Sequence, residues 1–212
     1  MGISERKERE RIQRRNDIIE AAQKTFLRKG FESATMDDVA DEAELSKGTL
    51  YLYFRSKEDL QFAIFMKGLD ILLYKMRNNL SEQDTGYQGL LRLADTFIRF
   101  SGEHPYYFSL LIYYESSKML GLNIDQAQLQ VYLKEQSPLT LVAEQVNLGI
   151  QDGSLRDDLP AEVFSATLWS QMLGVLIVLN NNADLYEIFN LRADEILQTH
   201  LELVSNGSIP KK

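Results

Sequence analysis

Between Thr35 and Leu60 the chain reads TMDDVADEAELSKGTLYLYFRSKEDL, and the polar side chains in its middle suit reading a nucleic acid better than making or breaking bonds. Ser46, Lys47, Thr49 and Tyr51 bring hydroxyl and ammonium donors onto one short segment. Lys47 is of a type that reaches a guanine edge, and the Thr49 methyl suits a thymine. Gly48, between them, lets a helix come close to a backbone. Bond-making chemistry is poorly provided for. The two histidines, His104 and His200, are far apart and there is no cysteine, so a metal site is not expected. Neither a glycine-rich phosphate loop nor a G-x-S-x-G elbow is present. Asp157 and Asp158 form an acid pair but precede Pro160 in a turn, where they read as capping groups. No catalytic residue and no cofactor is expected.

Two short helices must position these groups. Thr35 is a helix N-cap residue, and Asp37 and Asp38 follow in the first turn, where negative charge suits the helix dipole. Val39, Ala40 and Ala43 share one face, so this helix ends near Ala43. Glu44 and Leu45 connect it to a second helix capped by Ser46 and pinned by Leu50. Two short helices with polar donors at the start of the second form the arrangement that enters a DNA major groove.

The string SKGTLYLYF followed by SKEDL, after a T-x-x-x-V-A helix, resembles the N-terminal DNA-binding segment of TetR-type (TetR/AcrR) transcriptional regulators. The resemblance implies a repressor that binds a palindromic operator as a homodimer and lets go when a small-molecule effector fills its C-terminal domain. It places Thr35 and Tyr53 to hydrogen-bond phosphate and Lys57 to neutralise one, beside Ser46, Lys47, Gly48, Thr49 and Tyr51 on the recognition helix. The family usually has glycine where Glu44 stands. That position calls for left-handed backbone, and a carboxylate turned towards phosphate there would weaken binding.

The net charge of −8 fits DNA only when divided along the chain. Residues 1–30 carry +4, residues 31–60 carry −5 and the remainder −7. Arg6, Lys7, Arg9, Arg11, Arg14 and Arg15 are placed where an arm or first helix runs along phosphates. The N-terminus has no apolar core segment, and the longest apolar run, Met172 to Leu179, is too short to cross a bilayer. A soluble, cytoplasmic protein is expected, with double-stranded DNA as partner and no membrane.

The rest of the chain reads as helices: Arg11 to Gly30, Lys57 to about Leu80, Tyr87 to Gly102, a segment opened by Pro105, Asn123 to Gln136 and Leu139 to Gln151 about Pro138, Ala161 to Asn181, and Leu185 to Val204. The expected fold is all-α with about nine helices. Residues 1–56 would form the helix-turn-helix DNA-binding domain and 57–212 the effector-binding and dimerisation domain. Phe97, Phe100, Tyr106, Phe108, Tyr113, Trp169 and Met172 are candidates to line an apolar cavity. Trp169, Met172, Leu176 and Leu179 with Leu197 and Leu201 are candidates for a four-helix seam between two copies, or for the chain's own core. A rival reading, a dimeric small-molecule carrier or adaptor with a degenerate head, rests on Glu44 and the acidic second helix.

Overall fold

The structure is a computed structural model describing residues 2–116, 135–181, 186 and 188–210. Among these residues it contains nine α-helices and no strand: α1 (Ile3–Lys29), α2 (Met36–Glu42), α3 (Lys47–Tyr51), α4 (Lys57–Asn79), α5 (Gly86–Glu103), α6 (Pro105–Ser116), α7 (Pro138–Gln151), α8 (Ala161–Asn181) and α9 (Ala193–Ser208). Contacts gather them into two compact units, Met1–Leu69 with Tyr106–Ile124, and Asp70–Pro105 with Asp125–Lys212. The division at 56/57 drawn from sequence follows a motif. The contact boundary instead falls inside α4, because the first half of α4 is locked to the head by side chains and by α6.

In the first unit, Ile18, Ile19, Ala22 and Phe26 of α1 are buried together with Val39 and Ala40 of α2 and Leu50 of α3. A helix of five residues has no stability of its own. Complete burial of Leu50 holds it, worth roughly 1.5–3 kcal/mol. α2 begins with a capping box: Asp38 N–H donates to Thr35 Oγ1 (3.2 Å) and Thr35 N–H to Asp38 Oδ2 (3.0 Å). Gly30 ends α1 at φ 79°, its N–H bonding back to Phe26 O. α4 approaches α6 where Gly68 has no side chain, since a Cβ there would lie 2.8 Å from the Tyr107 ring. Tyr107 also donates to Gln23 Oε1 of α1 (2.9 Å).

Glu44 adopts φ 54°, so the left-handed turn expected at this position is made by a glutamate. A glutamate held there is strained by roughly 1–2 kcal/mol. Glu44→Gly is therefore expected to raise the stability of the head by about 1 kcal/mol, less the backbone entropy that glycine adds to the unfolded chain. Thermal unfolding of the two proteins checks this; a drop in melting temperature would mean that the glutamate side chain contributes more than its backbone loses.

In the second unit α5, α7 and α8 pack on one another, with α9 against α8. Thr85 and Gln88 cap α5, while Asp152 and Ser154 from the α7–α8 connection accept from the Gly86 and Tyr87 N–H groups (2.8 and 3.1 Å). The same connection holds α9, since Arg156 donates from its backbone N–H to Ser208 O (2.9 Å) and from its guanidinium to Gly207 O (3.1 Å).

Four elements differ from the reading above. α1 starts at Ile3, eight residues before Arg11, because Glu8–Arg11 and Arg6–Glu10 pairs at helical spacing support an all-polar stretch. Pro138 stands in the first turn of α7 behind the Ser137 cap, where its missing N–H costs nothing. The stretch from Asn123 to Lys134 lies outside the described residues. The last helix starts at Ala193, since Asn190 at φ 53° breaks the expected run from Leu185. Finally, α8 is long and apolar enough by length and composition to cross a membrane, with a mean hydropathy of 1.6. The uninterrupted run from Met172 to Leu179 concealed this, because Ser165, Ser170 and Gln171 divide it without lowering the helix average far.

Candidate nucleic-acid interface and internal cavity

Ser46 Oγ accepts from Thr49 N–H (3.1 Å) and shares a second hydrogen bond with Thr49 Oγ1 (2.8 Å). Both residues are thus occupied first as caps. One of their two hydroxyl protons lies between them and the other remains for DNA. Thr35 Oγ1 acts as an acceptor in its box, so its O–H is left to donate to a phosphate. Gly48 is exposed, and a Cβ on it would meet only Ser46 Oγ at 3.9 Å. Within the chain nothing forbids a side chain there. Tyr51 is exposed and Tyr53 half-buried. Leu52, beside them, is 84% exposed. Its spacing does not single it out, since a leucine at helical spacing reads as core, yet an apolar tip on this surface suits a thymine methyl.

The acid-rich second helix is neutralised from two sides. Lys29 and Arg28, at the end of α1, bind Asp38 (2.7 Å) and Glu42 (2.9 Å). The Lys29 hydrogen bond, followed by those from Thr35, holds the Asp38 carboxyl at about 2. Lys47 Nζ lies 2.7 Å from Asp37 Oδ1 and 3.0 Å from Oδ2, and that hydrogen bond raises the amine above its ordinary value. Arg15 lies over the Phe54 ring at 5.0 Å, and desolvation there pushes its guanidinium down.

Lys57 is engaged inside the head. Its ammonium donates to Phe31 O (2.8 Å) and Glu32 O (3.1 Å) and lies 4.8 Å from the Phe31 ring centre. The phosphate role expected from sequence is left with one N–H out of three. Lys57→Met should lower stability by about 1–2 kcal/mol through the lost charge-assisted hydrogen bonds. Unfolding experiments measure this, and an unchanged midpoint would refute the brace. A fall of about one in the salt slope of DNA binding would add a phosphate to its partners.

The family described as bacterial regulatory proteins, tetR family, matches residues 18–64, which spans α1 from its first buried residue through α2 and α3 into α4. Over this segment the chain is similar to the tetR family. The chain is 40% identical over 93 residues to an uncharacterized HTH-type transcriptional regulator, YfiR, of Bacillus subtilis, covering 39% of this chain and 45% of that protein. It is 28% identical over 88 residues to the fatty acid metabolism regulator protein of the same organism, covering 41% and 45%. It is 26% identical over 151 residues to the HTH-type transcriptional repressor KstR2 of Mycobacterium tuberculosis, covering 71% and 73%. The chain thus spans about half the length of the first two. The solved structure of ketosteroid transcriptional regulator KstR2 superposes with a TM-score of 0.64 at 22% identity, covering 93% of this chain and 96% of that one. At that identity the likeness is one of fold.

In the second unit a cavity of about 80 Å³ lies among α5, α8 and α9, with Met76 of α4 and Val142 of α7 on its wall. Of the seven aromatic and methionine candidates, Phe97, Trp169 and Met172 line it, and the Phe97 and Trp169 rings stack at 4.9 Å. Phe100 is buried beside His104 and not on the wall. Tyr106, Phe108 and Tyr113 belong to the other unit and do not line it. The Tyr106 hydroxyl there is buried without a hydrogen-bond partner, and burial pushes it up to about 12. Ala94, Leu93 and Leu90, three, four and seven residues before Phe97, share the α5 wall, so the helical repeat around Phe97 was the usable signal. His200, Ser205 and Ser208 supply the polar edge, and burial pushes the His200 imidazole down, keeping it neutral at pH 7.

Of the two placements open for the candidate seam residues, the chain's own core takes most of them. Trp169, Leu176 and Leu179 are buried within their own chain, and Leu201 joins Met172 on the cavity wall. Leu197 is half-buried. The apolar side chains that α8 and α9 leave outward are Val163, Val178 and Leu203, the last 68% exposed. Helical phase decides this, because the bulky stripe of α8 is the one its own α5 and α7 cover.

Proposed function

We propose that this protein is a ligand-responsive transcriptional regulator, a repressor, which grips a palindromic DNA site as a homodimer in the bacterial cytoplasm and is released when a small apolar molecule enters the second unit. One observation carries the reading: a DNA-reading head with intact caps shares its chain with a cavity walled by apolar side chains and edged by a neutral histidine. The head supports DNA binding because Glu44 keeps the inter-helix turn and the acids Asp38 and Glu42 are paired away. Those same facts remove the two hints that favoured a carrier with a degenerate head.

A second copy is the cover that α9 calls for. Ser208 alone among the residues of α9 is buried in the chain, although the helix carries Ile196, Leu197, Leu201, Leu203 and Val204. A groove between α8 and α9, bordered by Val163, Thr167, Leu203 and Gly207, faces outward. Small side chains on that face let two helices approach closely, and a four-helix packing of α8 and α9 with their copies buries the exposed apolar stripe. One head reads few base pairs, so a dimer is also what a palindromic site requires.

The effector reading rests on size as well as polarity. A cavity of about 80 Å³ is smaller than the roughly 150 Å³ that takes up benzene. Any larger molecule must displace a wall, and α9 is the wall least held by its own chain. A ligand that prefers the displaced state shifts the dimer, whereas one that binds both states equally shifts nothing. The names of two relatives, a fatty acid metabolism regulator and a ketosteroid regulator, point to apolar effectors of this kind. Selection of bound sequences from random duplex DNA, repeated with a panel of acyl and steroid compounds, tests the whole reading. It predicts one symmetric site whose occupancy falls with an apolar effector, and failure to enrich any sequence would refute it.

A further inference from the structure

Lys47 is the single cation on α2 and α3, which together carry the acids Asp37, Asp38 and Asp41 with Glu42, and Glu44 stands in the turn between them. Asp38 and Glu42 have partners on α1, and of the remaining acids it is Asp37 that pairs with Lys47. The pair spans the starts of the two helices, Asp37 in the first turn of α2 and Lys47 as the first residue of α3. The Lys47 and Asp37 side chains are 58% and 60% exposed, so the pair stands on the surface that meets DNA.

We infer that Asp37 is a specificity-determining residue that holds the Lys47 ammonium in an ion pair, admitting it to a neutral base edge while penalising its use on phosphate. The inference rests on the DNA-binding reading above. An ammonium has three N–H donors, of which one is bonded to Asp37 Oδ2 at 3.0 Å while Oδ1 lies in ion-pair contact at 2.7 Å. The others can meet a guanine O6 or N7, which are uncharged acceptors, with the pair intact. A phosphate has to expel the carboxylate or accept its repulsion. Sequence-independent affinity comes from cations that replace condensed counterions on phosphates, and a lysine already neutralised by a carboxylate replaces none. Asp37 therefore removes about one phosphate's worth of attraction from every duplex, while the base contact is kept. The cap of α2 is made by Thr35 and Asp38, so Asp37 is not needed to start the helix.

The test is a double-mutant cycle of Asp37→Asn and Lys47→Ala in the full chain. Binding is read by anisotropy on a mixed-sequence duplex of about 30 base pairs from about 50 to about 300 mM salt. Asp37→Asn should tighten binding roughly three- to tenfold at the low-salt end and steepen the log–log salt slope by about one. In the Lys47→Ala background the same change should do nothing to either quantity. On the best duplex selected by the wild-type chain, Asp37→Asn should gain less than on the mixed one, so that selectivity falls. Asp37→Ser repeats the measurement should the asparagine variant melt early. An unchanged slope in both variants would overturn the inference. So would equal tightening with and without Lys47, which would make Asp37 a direct repellent of phosphate. A wild-type chain that binds no duplex at low salt would instead remove the DNA-binding reading, and this inference with it.

Discussion

Lys47→Ala should reduce affinity for the operator by roughly tenfold to a hundredfold and erase preference at one base position. The lysine is the first residue of α3 and exposed, and no other cation on α2 or α3 can replace it. On random DNA the loss should be small, because a lysine already paired with Asp37 replaces no counterion there. Competition binding on the selected site and on a scrambled one measures both losses. Equal losses on the two would make Lys47 a phosphate ligand and not a base reader. Gly48→Ala is the companion measurement. Alanine favours the helix by about 0.5–1 kcal/mol and meets nothing within the chain, so a more stable protein that binds DNA less well would show that the DNA backbone comes close at Gly48.

Gly86→Ala should destabilise the second unit by about 3 kcal/mol or more, the upper range for overpacking against atoms that cannot move. A Cβ on Gly86 would run into the backbone of α7, against Gly149 N and Cα and Gln145 O. Backbone atoms inside a helix have no rotamer to change, so α5 and α7 must separate. That separation breaks the Gly86 N–H bond to Asp152 and shifts Leu93, Phe97 and Val142 on the cavity wall. For a chain of this length the melting temperature should fall by about 6–12 °C. Gly102→Ala, on the same helix, is the control. Its Cβ would meet nothing within 4 Å, and it should stabilise slightly. If both glycines tolerate alanine alike, the α5–α7 crossing is looser than its geometry indicates.

Much of the head could be read from residues because its signals act over three or four positions. Thr35 with Asp38 and Ser46 with Thr49 are caps whose donor and acceptor lie within one turn, and Gly30 ends a helix for reasons internal to its own backbone. The bounds of α8, Ala161 and Asn181, followed from a turn rich in glycine before it and a polar stretch after it. The start of the last helix was misplaced because Asn190 took a left-handed conformation that glycine usually announces. Other outcomes had no local signal. Lys57 was expected on phosphate, and its carbonyl partners at Phe31 and Glu32 lie 26 and 25 residues away. Asp37 looked like a dipole residue, and its lysine stands ten positions on.

By itself, the sequence determined the helical class, the caps, the helix-turn-helix segment and the residue types available to DNA, since each follows from hydrogen bonds and side-chain periodicity within a few residues. Only the tertiary structure decided which aromatics wall a cavity, which face of α8 is left uncovered, and whether a given lysine braces the fold or waits for a base. Those choices depend on which atoms of distant segments come within about 3–4 Å of one another, and the spacing of residues along one helix says nothing about what crosses it.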